Sequence, residues 1–369
     1  MNSYNIMIKP ASSLCNMKCK YCFYDDVSNM RECPSSGIMT HETMEAIISN
    51  IKKGLKEGDR VSFLFQGGEP TLAGLSFFKE FVLSVSKWNN IKVSYALQTN
   101  GILIDDDWCK FLKENNFLVG ISFDILPEAH DFVRIDKKNE GTYKKVSDTI
   151  RLLKKHNVDF NVLCTLTNSI AKHPVKVWNQ LIKTQIDYVQ FTPCLGELED
   201  NISNPYALTP ERFSSFYIAL FPLWFEEYKK GRYISVKFFD DIVNLMILGY
   251  PTSCGMDGIC RPQMVIESDG SVYPCDFYCL DEYKIGNIKE NSITQILFSD
   301  KIGEFINRYS EKPVLCKECE YRKFCNSNCI RMRNEMCCKV DGSFCGYREF
   351  LKKYGTVLSA LADKFRYKR

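Results

Sequence analysis

The chain reads as an α/β protein built on a parallel sheet and followed by a cysteine-rich region. Three observations predict this. The first half alternates short apolar runs with longer runs that are apolar at helical spacing. The apolar runs end in Gly-, Asn-, Ser- or Cys-bearing turns. Of the 18 cysteines, 14 gather in a short N-terminal loop and again from Cys254 onward.

In chain order, Asn5–Ile8 is a short strand that runs into Cys15-Asn-Met-Lys-Cys19-Lys-Tyr-Cys22. Residues 40–55 place Met44, Ile47, Ile48 and Ile51 on one helical face. Val61–Phe65 is a strand ended by Gln66-Gly67-Gly68-Glu69-Pro70, 75–88 is helical, and Val93–Leu97 is a strand ended by Gln98-Thr99-Asn100-Gly101. Asp105 is placed to N-cap a helix through Glu114. Leu118–Phe123 is a strand, 142–156 a helix, Phe160–Thr165 a strand, 174–183 a helix and Tyr188–Phe191 a strand.

Strands that each feed a helix or crossover imply a parallel sheet with right-handed connections. Chemistry in such folds collects at the carboxyl ends of the strands. The cysteine loop, Gly67-Gly68-Glu69, Thr99-Asn100-Gly101, Ser122, Cys164 and Cys194-Leu195 all fall there. Periodicity does not separate a partial barrel from an open sheet.

From about Gly196 the pattern changes. Residues 197–205 read as an exposed linker. Residues 210–229 form a long helix whose Phe213, Phe216, Tyr217, Leu220 and Trp224 recur at helical spacing, a stripe that belongs to a core. Another helix covers 240–248. Met264–Glu267 and Ser271–Tyr273 flank Asp269-Gly270, which predicts a hairpin. A Cys316-x2-Cys319-x5-Cys325-x3-Cys329 run follows, and Cys345 precedes a terminal helix over 348–365.

Composition narrows the function classes. The net charge of +3 gives no footprint for nucleic acid or membrane, and 45% hydrophobic with 25% charged residues suits a sizeable core. The N-terminal residues lack a basic segment followed by an apolar run, so no signal peptide is expected, and no apolar stretch is long enough to span a bilayer. A cytoplasmic protein is expected, in which so many thiols read as metal ligands before disulfides.

Three cysteines in the first loop offer soft thiolates to an iron–sulfur cluster or to zinc. A four-iron cubane held by three cysteines keeps one iron open, and an open position is the usual mark of a metal centre that does chemistry. The spacing, with Tyr21 before the third cysteine, resembles the radical S-adenosylmethionine (radical SAM) enzymes. The resemblance implies a (β/α)6 partial TIM barrel in which Cys15, Cys19 and Cys22 hold a [4Fe–4S] cluster. The methionyl group of S-adenosylmethionine takes the open iron and is cleaved to a 5′-deoxyadenosyl radical.

Gly67-Gly68-Glu69-Pro70 resembles the family's segment that binds the methionine amine, so Gly68 is a cofactor contact. Tyr21, Ser122, Arg134 and Leu195 are cofactor contacts by the same resemblance, and the Arg134 fork suits a carboxylate. The later cysteines, with the hairpin between Cys260 and Cys275, resemble a SPASM domain with two auxiliary [4Fe–4S] clusters. That implies Cys254, Cys260, Cys275 and Cys329 for the first and Cys316, Cys319, Cys325 and Cys345 for the second. Cys337 and Cys338 compete with Cys345. A zinc ribbon is the alternative, since C-x2-C pairs often bind zinc, but zinc leaves the hairpin spacing unexplained.

Over nearly the whole chain, Ile8-Lys-Pro-Ala-Ser-Ser, Cys22-Phe-Tyr24, Phe65-Gln-Gly-Gly-Glu-Pro-Thr-Leu-Ala-Gly74, Leu97-Gln-Thr-Asn-Gly101 and Tyr273-Pro-Cys-Asp-Phe-Tyr278 resemble the anaerobic sulfatase-maturating enzymes. The resemblance implies oxidation of a cysteine, with serine as a second target, in a sulfatase Cys/Ser-x-Pro-x-Arg segment to Cα-formylglycine. A Cβ hydrogen is abstracted, and Asp276 is the general base. It also implies a sulfatase polypeptide as substrate, a flavodoxin- or ferredoxin-type electron donor and a monomer. Ile125 and Asn328 stand where the families often carry glycine. The expected division is a radical SAM barrel over 1–235 with a linker near 196–208, a SPASM domain over 236–345 and a terminal helix over 346–369. Two other readings compete: another SPASM-type peptide-modifying enzyme, for example thioether forming, and a non-catalytic iron–sulfur electron carrier.

Overall fold

The computed structural model describes residues 2–198, 204–308, 311–339 and 341–366. The expected linker over 197–205 lies partly outside these residues. The strands are β1 (Ser3–Ile8), β2 (Arg60–Phe65), β3 (Lys92–Thr99), β4 (Phe117–Ser122), β5 (Phe160–Leu166), β6 (Tyr188–Pro193), β7 (Ser235–Val236), β8 (Met264–Ile266), β9 (Ser271–Tyr273) and β10 (Gly286–Asn287). The chain divides into two compact units. The first holds Met1–Ser122, Asp131–Phe160 and Pro262–Arg308, and the second holds Phe123–His130, Asn161–Arg261 and Tyr309–Arg369.

In the first unit the strand order is β10-β9-β8-β1-β2-β3-β4. β1 pairs in parallel with β2, β2 with β3 and β3 with β4. The alternating burial of β2 (Val61, Phe63 and Phe65 inward) follows from the two-residue period of a strand. The helix His41–Gly54 buries Met44, Ile47, Ile48 and Ile51, the face its spacing predicts, and Thr40 caps it by accepting from Thr43 N. Asp105 caps Asp106–Glu114 by accepting from Trp108 N. Phe63, Phe65, Phe78 and Phe81 interlock, with Phe65–Phe78 and Phe65–Phe81 ring centroids at 4.9 and 5.1 Å.

Two features depart from the sequence reading. A short helix, Phe23–Asn29, follows the cysteine loop directly. The hairpin over Asp269-Gly270 forms as expected, with Gly270 at φ +90°, but its first strand β8 pairs in parallel with β1. Lys9 N extends that pairing by donating to Ile266 O at 2.8 Å.

In the second unit β5, β6 and β7 pair in parallel. Its core is the aromatic stripe of Pro210–Lys229 set against Lys237–Leu248 and Gly346–Arg366. Phe213, Phe216, Tyr217, Leu220 and Trp224 are all buried. Tyr217 meets Phe238 at 4.3 Å, and Phe221 stacks on Tyr354 at 4.2 Å. No helix among the described residues is long and apolar enough to cross a membrane.

Candidate active site

The loop Cys15–Cys22 leaves the end of β1 and is pinned on two sides by backbone hydrogen bonds. On one side Gly68 N donates to Ser12 O at 2.8 Å and Glu69 N to Leu14 O at 2.7 Å. On the other, Lys18 N donates to Ile135 O and Lys20 N to Val133 O, at 2.8 and 3.0 Å, and Met17 bridges to Asp136. Gly68 is required by this contact: a Cβ there would run into Leu14 O and stand 2.6 Å from Ser13 C and O. Gly67, at φ +123°, is the residue that turns the chain into it.

Glu69, which the sequence reading passed over, locks the arrangement. It is fully buried. Its Oε1 accepts from Thr71 N and Oγ1 and from Thr99 Oγ1, and its Oε2 accepts from Asn100 N. Burial pushes its carboxyl pKa up against these hydrogen bonds. Asn100 passes the order on, donating to Asn16 Oδ1 at 2.7 Å and approaching Cys15 Sγ at 3.8 Å, while Met17 N points to the same sulfur at 3.4 Å. Cys15, Cys19 and Cys22 are half-buried. Three cysteines at a partly open loop, with N–H groups aimed at the Cys15 sulfur, fit an iron–sulfur cluster.

Of the expected cofactor contacts, the Arg134 guanidinium lies 5.3 Å over the Tyr21 ring, and Gln98 Nε2 donates to Ser122 Oγ at 3.1 Å. These residues and Gly68 share the first unit with the cysteine loop, and Leu195 belongs to the second, where it is buried and its carbonyl accepts from Asn204 Nδ2.

Asp276 opens the short 3-10 turn Asp276–Tyr278 after β9. Its Oδ2 accepts from Tyr24 OH at 2.5 Å and Gln66 Nε2 at 3.0 Å, and Lys9 Nζ stands 3.1 Å from Oδ1. Tyr24, Gln66 and Lys9 follow the cysteine loop, β2 and β1, so the strand ends converge on this carboxylate. Burial would depress the Lys9 pKa, but Cys279, Asp276 and Glu267 around it raise it well above the ordinary value. Burial pushes the Cys279 thiol up to about 12, against the lowering effect of the nearby Lys9 charge. Burial also raises Tyr24, as does Asp276, and keeps it a hydrogen-bond donor.

In the second unit Cys316, Cys319, Cys325 and Cys345 line one cavity together with Cys337. Cys338 is not among its walls; its Sγ lies 3.4 Å from Cys316 Sγ. Five thiols in one lining are more than the four that a fully ligated cubane needs, so the cavity fits such a cluster. Cys254, Cys260 and Cys329 also lie in this unit, and burial pushes the Cys254 thiol up to about 11. Gly255 and Gly258, both at positive φ, let their loop close on 325–329: a Cβ on Gly258 would meet Asn326 O and stand 2.7 Å from Cys325 O. Cys275 belongs to the first unit.

Both departures from the family pattern fall in left-handed backbone. Ile125 has φ +57° and Asn328 φ +59°, the latter ending a run with Asn326 and Ser327. Glycine adopts this region at no steric cost, asparagine at little, and a β-branched residue only under constraint. Full burial of the Ile125 side chain supplies that constraint.

Comparison with known proteins agrees with this geometry. Residues 10–173 match the radical SAM superfamily, and residues 258–320 match an iron–sulfur cluster-binding domain, SPASM. A cysteine-type anaerobic sulfatase-maturating enzyme of Clostridium novyi is 41% identical over all of both chains. That of Clostridium perfringens is 42% identical over 90% of each. A serine-type enzyme of Bacteroides thetaiotaomicron is 30% identical over 89% of this chain and 83% of its own. The solved structure of native anSMEcpe with bound AdoMet and Cp18Cys peptide is 38% identical, with a TM-score of 0.89 over 98% of this chain and 99% of that one. Identity at this level over essentially the whole chain shows that the protein belongs to the anaerobic sulfatase-maturating enzymes, radical SAM enzymes with a SPASM domain.

Proposed function

We propose that the chain oxidises the cysteine of a sulfatase Cys-x-Pro-x-Arg segment to Cα-formylglycine, with serine in the same frame as the poorer target. The carrying observation is Asp276, a buried carboxylate held by Tyr24, Gln66 and Lys9 in the same unit as the Cys15–Cys22 loop. Cys15, Cys19 and Cys22 would hold the cluster that supplies one-electron reduction to S-adenosylmethionine, and the later cysteines would hold clusters able to take up the second electron. Gly68, Tyr21, Ser122, Arg134 and Leu195 bind and orient the cofactor. Asp276 takes the proton that leaves the substrate once its Cβ hydrogen is gone, a task that needs hydrogen-bond reach and a fixed carboxylate.

Cys254, Cys260, Cys275 and Cys329 serve the first auxiliary cluster, and Cys316, Cys319, Cys325 and Cys345 the second. On this reading 1–235 is the radical barrel, 236–345 the SPASM domain and 346–369 the closing helix, in a cytoplasmic monomer. Exposed Lys18 and Lys20 flank Cys19, and Lys137 and Lys138 stand on the turn that bridges to Met17. This basic rim suits an acidic flavodoxin- or ferredoxin-type donor. The preference for cysteine is supported by the greater identity to the cysteine-type relatives.

The test is anaerobic incubation of reconstituted protein with S-adenosylmethionine, reductant and both peptides. Mass spectrometry should show the cysteine peptide losing its thiol and gaining an aldehyde. Cofactor cleavage with neither peptide changed would defeat the sulfatase reading and leave the thioether-type alternative.

A further inference from the structure

The charges around Asp276 extend beyond its immediate neighbours. Lys9 is only 2% exposed, and the groups around it raise its pKa above the ordinary lysine value. Its Nζ stands 3.1 Å from Asp276 Oδ1, 3.5 Å from Glu267 Oε1 and 3.2 Å from Cys279 Sγ, and 4.6 Å over the Tyr24 ring. Glu267 Oε1 also accepts from Arg31 NH1 at 3.0 Å. Glu267 and Arg31 are themselves buried. Two cations therefore face two carboxylates and the formal charges cancel. A buried ion is tolerated when it is paired in this way, and removing one partner leaves the others uncompensated.

The two oxygens of Asp276 are treated differently. Oδ2 takes both neutral donors, Tyr24 and Gln66, whereas among the described residues Oδ1 makes no hydrogen bond and has Lys9 as its ionic neighbour. The rotation of the carboxylate is thus set from opposite sides.

We propose that Lys9 is a positioning residue for Asp276, and that Glu267 and Arg31 fix Lys9 in place for this task. The proposal rests on Asp276 being the base. A purely structural clamp between β1 and the segment after β8 would use the same contacts, so the readout must separate the two. Fully reconstituted protein is assayed on a Cys-x-Pro-x-Arg peptide, and aldehyde formed per 5′-deoxyadenosine released is measured. Lys9→Met should lower this ratio by about tenfold or more while 5′-deoxyadenosine is still released, because a misplaced base slows one step and leaves cofactor cleavage intact. Lys9→Arg, which keeps the charge, should recover most of it. The double variant Lys9→Met/Asp276→Asn should be no worse than Asp276→Asn alone, as residues acting through one another are not additive.

A wild-type ratio in Lys9→Met, or an additive loss in the double variant, overturns the proposal while Asp276→Asn still uncouples the enzyme. A wild-type ratio in Asp276→Asn instead overturns the base assignment itself. Should Lys9→Met fail to retain iron, Glu267→Gln decides: a fall of about threefold or more supports the proposal, and an unchanged ratio overturns it.

Discussion

Tyr24 and Asp276 lie 252 positions apart in sequence and meet through a 2.5 Å hydrogen bond from phenol to carboxylate. Tyr24 stands two residues beyond Cys22, and Asp276 directly follows Cys275. The bond therefore joins the loop assigned to the radical cluster to the loop assigned to an auxiliary one. Tyr24→Phe should leave Gln66 as the sole neutral donor to Oδ2. Aldehyde yield should fall by about tenfold, the effect of a buried hydrogen bond to a charged group, with 5′-deoxyadenosine release retained. Single-turnover assays that count both products check this.

Gly68→Ala should disable the first cluster. The added methyl meets the Leu14 and Ser13 carbonyls, which are backbone and cannot swing away. The expected iron content falls from about twelve to about eight per chain, the difference of one cubane, and cofactor cleavage is lost. Iron analysis after reconstitution is the check.

Glu69→Gln keeps the volume but turns one acceptor oxygen into a donor. Thr71, Thr99 and Asn100 present four donors to the two oxygens, so at least one loses its partner. The cost should be about 1–3 kcal/mol of stability, with faster loss of iron from the Cys15–Cys22 loop than from the auxiliary sites. Anaerobic thermal unfolding and the time course of chelator-accessible iron measure the two effects.

Cys345→Ala should remove about four irons and Cys338→Ala almost none. The ground is the cavity itself: Cys345 lines it with Cys316, Cys319 and Cys325, and Cys338 does not. Equal losses in both proteins would show that the cluster needs Cys338 as well as Cys345.

Much of this was legible in the sequence because the signals are local. The three-cysteine loop, the paired glycines, the Asp105 cap and the Asp269-Gly270 turn each follow from a few neighbouring residues. The helical stripe of 210–229 was read as core and is core, even with Pro222 inside the helix. What escaped was non-local. Nothing in Met264–Ile266 says that it will lie beside β1, since a short apolar strand suits many partners. Lys9, Arg31 and Glu267 are single charged residues, which by burial statistics belong on a surface. Glu267 carried a faint signal, an acid continuing the apolar run Met264–Ile266. Glu69 was visible inside its motif, but the two glycines beside it drew the chemical argument.

The placement of β8 also bears on how the protein is made. β1 precedes the other described strands in the chain, and β2, its neighbour on one side, comes soon after. Its other side is completed only by β8, near the far end of the chain. During translation that edge, backed by the apolar Ile6, Met7 and Ile8, presents unpaired peptide groups to any strand that passes. Pairings of such long sequence separation form slowly, because the intervening loop must first be closed. A ribosome stalled before Met264 would release a nascent protein with an open sheet edge. Shortening the wait by circular permutation, with 262–308 moved ahead of β1, would remove the exposed interval altogether.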